Sequence, residues 1–359
     1  MKFNKYFFEN YPSDTPFDMK NPRYVLSLDG VDSILERIIV NKPYSLTIED
    51  FDDVDLVKAL LYVDVLQQKK GKLGMAVPFF VEKDAEVLKE LSKRVADSIA
   101  TELFANKEQI LSIIQSIDNG YPAERNLYHI LCGYIFDGVM FDYLEENQLV
   151  TTSCMHNTGL DYLVILYEDT SSLNEYSDKL LCSYNRLVLG GKGFVSFGDS
   201  NGNRRDFYRY MRLKELNQLT KEEESYISYP LEVLLDNFEK IINGEQVESK
   251  YMKTYEYFGY CKSGQIVVPI YDADSYEQAN KLYNIVLDVI KNQIVSTLSA
   301  IQNERRLLAV AHNVEIKDIS NEIYHLIFGE VNELLVQKGF VANPPLVLGE
   351  GRYLRSFEH

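Results

Sequence analysis

Gly74-Met-Ala-Val-Pro-Phe-Phe80 decides how this chain is read, because Gln265-Ile-Val-Val-Pro-Ile-Tyr271 repeats its pattern around a second proline. Pro78 and Pro269 stand 191 positions apart. Ten residues beyond each, an apolar ladder starts: Leu88, Leu91, Val95, Ile99 and Leu103, then Ala279, Leu282, Val286, Ile290 and Ile294. Steps of three and four put each set on one face of a helix. The match resumes at an offset of 196, where Asn126-Leu-Tyr-His129 aligns with Glu322-Ile-Tyr-His325. Both copies close on a short apolar and aromatic stretch, 161–168 and 352–358. The shared order points to a duplicated unit. Two amphipathic helical hairpins that look alike for generic reasons are the alternative.

Working outward from Pro78, residues 31–40 carry Ile34, Leu35, Ile38 and Ile39 on one helical face. Thr47-Ile-Glu-Asp50 has the form of a capping box, and Asp53 can cap the helix that buries Val54, Val57, Leu60 and Leu61. A strand is expected over 63–68, a turn at Lys69-Lys70-Gly71, and a returning strand over 73–80, with Pro78 at an edge or end.

Three helices, a two-stranded wing and a long helix resemble the winged-helix domains of bacterial transcription regulators of the MarR and ArsR types. The resemblance spans residues 31–117 and, more loosely, 231–305. It implies an α+β, mostly α fold of two duplicated winged-helix-like units, each with long helical extensions. The expected boundaries are 1–182 and 220–359 for the units and 183–219 for a connector. In those families the long helix after the wing commonly builds a dimer interface. The resemblance therefore implies an intrachain pseudo-dimer or a homodimer, and DNA or a regulatory protein as partner.

The residues themselves divide on DNA. Among 359 residues, 54 are acidic and 37 basic, a net charge of -17, which opposes generic binding to phosphate backbones. The first candidate recognition segment, 48–66, holds Glu49, Asp50, Asp52, Asp53, Asp55 and Asp64 against Lys58 alone. Basic candidates lie elsewhere: Lys69, Lys70 and Lys72 at the wing turn, and Lys250, Lys253 and Lys262 among Tyr251, Tyr255, Tyr257 and Tyr260. Arg204, Arg205, Arg209 and Arg212 form the most basic local stretch. Each set has a plainer reading. The lysines are ordinary solvated loop residues, the tyrosines cover a core, and the arginines pair with the chain's own carboxylates.

Chemistry of other kinds is thinly supported. Gly190, Gly191 and Gly193 precede Asn201-Gly202 but lack the Walker and GxGxxG spacings, so two strands turning at Asn201-Gly202 are expected. Thr220-Lys-Glu-Glu223 reads as a capping box. His129 and His325 occupy matching apolar helical positions, which points to a structural role; His312 and His359 stand alone. Cys154-Met-His156 is the one close thiol and imidazole pairing, a weak zinc or nucleophile signal set in a polar loop. The four cysteines form no CxxC pair and read as free thiols, and no secretory signal or membrane span is visible. The expectation is a non-enzymatic cytoplasmic regulator without metal or cofactor, binding DNA. An acidic protein-interaction module that lost DNA affinity is the competing expectation, and an enzyme or small-molecule sensor comes third.

Overall fold

The computed structural model describes residues 1–11, 15–178, 180–199, 204–215, 217–347 and 351–359. The fold is α+β, with 53% helix and 17% strand spread over several small sheets. Two compact units interleave along the chain: residues 1–95, 141–177 and 292–327 form one, and 96–140, 178–291 and 328–359 the other.

The first unit begins with β1 (Phe3–Glu9). The helix Val31–Val40 buries Val31, Ile34, Leu35, Ile38 and Ile39, the face its spacing specified. Asp50 closes the expected box, its carboxylate accepting from the Thr47 N–H at 2.7 Å and hydroxyl at 3.0 Å. Asp53 accepts from the Leu56 N–H at 2.9 Å and so caps the helix Val54–Tyr62. β2 (Leu66–Lys69) and β3 (Lys72–Met75) follow as a hairpin. Lys70 and Gly71 both have positive φ (52° and 79°), the conformation of the two-residue turns that match strand twist.

The returning strand expected over 73–80 is broken in two. β3 stops at Met75, and β4 (Phe79–Phe80) joins another sheet, parallel to β6 (Asp161–Glu168). Pro78, with no N–H to donate, sits at the break, while its carbonyl accepts from the Leu166 N–H at 3.0 Å. β6 is the central strand, flanked by β1 and β4 and carrying β5 (Cys154–Met155) at its start. Its inner six residues are all buried, as a strand covered on both faces requires.

In the second unit β7 (Leu181–Leu189) and β8 (Lys192–Asp199) form a hairpin. It turns at Gly190-Gly191, whose φ values are 62° and 82°; the expected turn at Asn201-Gly202 lies outside the described residues. β9 (Cys261–Lys262) and β10 (Gln265–Ile266) make a short pair of their own. β11 (Ile270–Tyr271) runs parallel to β13 (Gly351–Glu358), which also carries β12 (Leu346–Val347) and pairs with β8. Here the Phe357 N–H donates to Pro269 at 2.9 Å.

Both apolar ladders are buried along their length. Aromatic residues dominate one core cluster of the second unit: Phe194 packs on Phe207, Phe238, Tyr260 and Phe357, with ring centres 4.6–5.4 Å apart. With no tryptophan available, tyrosines fill this core and place their hydroxyls on backbone carbonyls, Tyr255 on Leu234 at 2.6 Å and Tyr260 on Val195 at 3.1 Å. Tyr255 and Tyr260 thus serve the core, whereas Tyr251 and Tyr257 remain half-exposed.

Candidate functional site

In the second unit, residues Tyr128–Val139 wind as a π-helix, a rare form often associated with functional sites. Gly133 lets this helix approach β7 closely, since a Cβ there would meet Tyr184 Cδ2 at 3.0 Å and Phe197 Cγ at 3.3 Å. Beside it lies a slot between His129 and Tyr134 of the π-helix, Tyr184 of β7, Tyr271 and Tyr276, and Ser356 and Glu358 of β13.

Most of the slot's polar groups are engaged, while His129 Nε2 is buried with no hydrogen-bond partner among the described residues. Glu358 is buried and accepts from the Tyr184 hydroxyl and from Arg186 Nη2, both at 2.9 Å. Tyr271 donates to Asn126 Oδ1 at 3.1 Å, which directs the His129 Nδ1 proton, 3.2 Å away, onto the tyrosine oxygen. Burial lowers His129 to about 3, so its ring is neutral near pH 7. The space left between these side chains is small, with room for one ordered water. This hydrogen-bonded geometry rigidifies the packing of the π-helix on β7 and β13.

In the first unit, Cys154, His156 and Asp64 stand in the order of a nucleophile, a base and its orienting acid. His156 Nε2 is 3.3 Å from Cys154 Sγ, and Nδ1 is 3.1 Å from Asp64 Oδ2. Asp64 follows the helix Val54–Tyr62 with φ of 48°, and also receives Asn157 N–H at 3.3 Å and Nδ2 at 3.1 Å. The His156 ring stacks on Tyr162 with centres 3.8 Å apart.

Two features oppose nucleophilic chemistry there. Nε2 lies 2.8 Å from the Tyr162 carbonyl, to which it donates its N–H, and so it has no lone pair for the thiol. Burial, reinforced by Asp318, Asp161 and Asp64, pushes the Cys154 thiol up to about 11. Reactive thiolates sit in electropositive surroundings, and these are acidic. The trio is a clasp holding β5 and the loop after it to the end of a helix. Among the described residues no three potential ligands gather as a metal site.

The basic candidates part company. Arg204 is buried, donating from Nη1 to the Ser183 carbonyl at 3.0 Å and from Nη2 to the Ser183 hydroxyl at 2.7 Å, so it is not presented to a phosphate. Arg205 lies 5.0 Å over the Tyr257 ring, Arg212 lies 5.4 Å over Tyr208, and both are half-buried. Arg209, also half-buried, donates its backbone N–H to Asp206 at 2.7 Å. Lys250 is exposed and paired with Glu248 at 2.9 Å; Lys253 and Lys262 are exposed. Lys69, Lys70 and Lys72 are exposed around the β2–β3 turn, Lys69 lying 4.8 Å over the Tyr44 ring.

His129 and His325 are both buried, with different partners. His325 Nδ1 faces the Asn321 carbonyl at 3.1 Å, one helical turn back. The slot had no sequence signal, since Tyr184 and Glu358 lie 174 residues apart. The same holds for Asp64 and His156, 92 apart. Comparison with protein-family models, curated proteins and solved structures finds no match.

Proposed function

We propose that this protein is a non-enzymatic protein-interaction module without functional affinity for duplex DNA. The carrying observation is Arg204, the first residue of the most basic stretch, which is buried and bound to Ser183 and Asp206. A DNA reader needs its guanidinium groups at the surface, where they can replace counterions and meet base edges. The acidic balance supports the same reading. Within the proposal, the winged-helix-like order of 31–117 and, more loosely, 231–305 is a scaffold turned to protein contacts.

A DNA-binding reading keeps one observation in its favour, the exposed Lys69, Lys70 and Lys72 at a tight hairpin turn. Titration of mixed-sequence duplex DNA across a salt series separates the two. Binding that strengthens as salt falls and disappears in a Lys69, Lys70 and Lys72→Gln variant supports the DNA reading.

A further inference from the structure

The two central strands are dressed alike. β6 and β13 each carry a short antiparallel strand (β5, β12), a short parallel strand entered from a proline (β4, β11), and a long antiparallel strand (β1, β8). Register fixes the correspondence. Leu166 pairs with Phe79 and Lys5, while Phe357, the matching residue of β13, pairs with Ile270 and Phe194. Lys5 of β1 therefore occupies the place of Phe194 in β8.

The far edges differ. In β1, Lys2 accepts from Asp169 at 2.8 Å and Asn10 donates to Asp161 at 3.0 Å, so antiparallel alternation assigns the bonds to β6 to even positions. The N–H and C=O groups of Phe3, Lys5 and Phe7 point the other way. Their counterparts in β8, Lys192, Phe194 and Ser196, are paired with Leu189, Leu187 and Asn185 of β7. Among the described residues no strand takes the place of β7 beside β1. Strand order ends there, and among the described residues no backbone hydrogen bond reaches these groups from outside the sheet.

We infer that the open edge of β1 is a docking site for an extended segment of a partner protein, added antiparallel as β7 is added to β8. The inference rests on the protein-interaction reading and gives it a place. The edge lacks the usual protection: β1 contains no proline, and its central charge, Lys5, is neutralised by Asp32 at 2.8 Å. The fitting partner is an apolar and basic strand. Apolar residues suit the half-buried Tyr6, Phe7 and Phe8, and positive charge suits a chain of net charge -17. β7 has this character itself, with Leu187, Val188 and Leu189 beside Arg186. A second copy fits less well, because two such acidic chains repel and one seven-residue strand pair is a small contact for a stable dimer.

The test uses the full chain and a peptide of sequence Leu181–Leu189, with Cys182 replaced by Ser and lysines added at both ends. Amide exchange is followed with and without peptide. The half-buried Lys5 and Phe7 amides should slow at least about tenfold on binding. Lys5→Pro, which removes the outward-facing donor together with the ammonium paired to Asp32, should abolish the effect. If that variant fails to fold, a scrambled peptide on the parent chain serves as the control. Equal protection by the scrambled peptide, protection elsewhere, or no binding at about 1 mM peptide, weaker than such strand docking requires, overturns the inference. So does self-association without peptide that slows the same amides, since that gives the edge to a second copy. Failure here leaves the protein-interaction reading standing, because the DNA titration decides that separately.

Discussion

Arg204 and Asp206 face each other inside the second unit, guanidinium Nε to carboxylate Oδ2 at 3.6 Å, each only 2% exposed. The other Asp206 oxygen accepts the Arg209 N–H at 2.7 Å and so caps the helix Phe207–Glu215. Asp206→Ala removes the cap and leaves a buried guanidinium without its counter-charge, an expected loss of about 3–5 kcal/mol in urea unfolding. Asp206→Asn, which can keep the cap, should lose less. A loss under about 1 kcal/mol for the alanine variant would show that Arg204 is solvated after all.

His129 and Asp318 should give stability opposite pH slopes. Burial sets His129 at about 3, so as pH falls from about 6.5 the unfolded chain takes up the proton first and stability is lost. Burial raises Asp318 to about 6, so the folded chain takes up its proton first and stability is gained as pH falls from 6 towards 4. Relative to the parent, His129→Gln should become more stable on acidification from pH 6 to 4, and Asp318→Asn less, each by at most about 1.4 kcal/mol per pH unit. Denaturant midpoints over that range provide the check, and equal slopes in both variants would contradict it.

Gly133→Ala tests the close approach of the π-helix to β7. The added methyl meets Tyr184 and Phe197 at 3.0–3.3 Å, and overpacking of this kind costs about 1–3 kcal/mol. Thermal unfolding should register it, and an unchanged midpoint would mean that the ring moves aside without cost.

Local elements were legible where local chemistry dictates them. The buried stripe of 31–40, the Asp53 cap, the Thr220 box and the Lys70-Gly71 turn follow from spacing and turn chemistry over a few residues. The break after Met75 was not, because only a distant strand, β6, gives Phe79 and Phe80 another partner. β1 escaped notice for the same reason, and the stretches 161–168 and 352–358 read as apolar without showing that both are central strands. The β7–β8 hairpin turns at Gly190-Gly191, where adjacent glycines take two positive φ values without penalty, and the Asn201-Gly202 signal lies outside the described residues. Burial of Arg204 depends on Ser183, 21 residues away across β7, which no local charge count reveals.

Cys154 should alkylate slowly at neutral pH despite its exposure. With the thiol at about 11, the iodoacetamide rate, followed at this residue by mass spectrometry, should climb about tenfold per pH unit up to that value. Asp318→Asn, which removes the largest of the neighbouring negative charges, should raise the neutral rate. A rate that levels off near pH 7 would reveal an activated thiolate and return the Cys154, His156 and Asp64 trio to catalysis.

A protein-interaction module of this kind leaves duplex DNA alone. Anisotropy of a labelled mixed-sequence duplex at low salt measures it most directly, because non-specific affinity is greatest there. No saturable binding is expected at protein concentrations up to about 100 μM, the weak end of non-specific DNA affinity. Saturable, salt-sensitive binding that is lost on replacing Lys69, Lys70 and Lys72 would contradict that expectation.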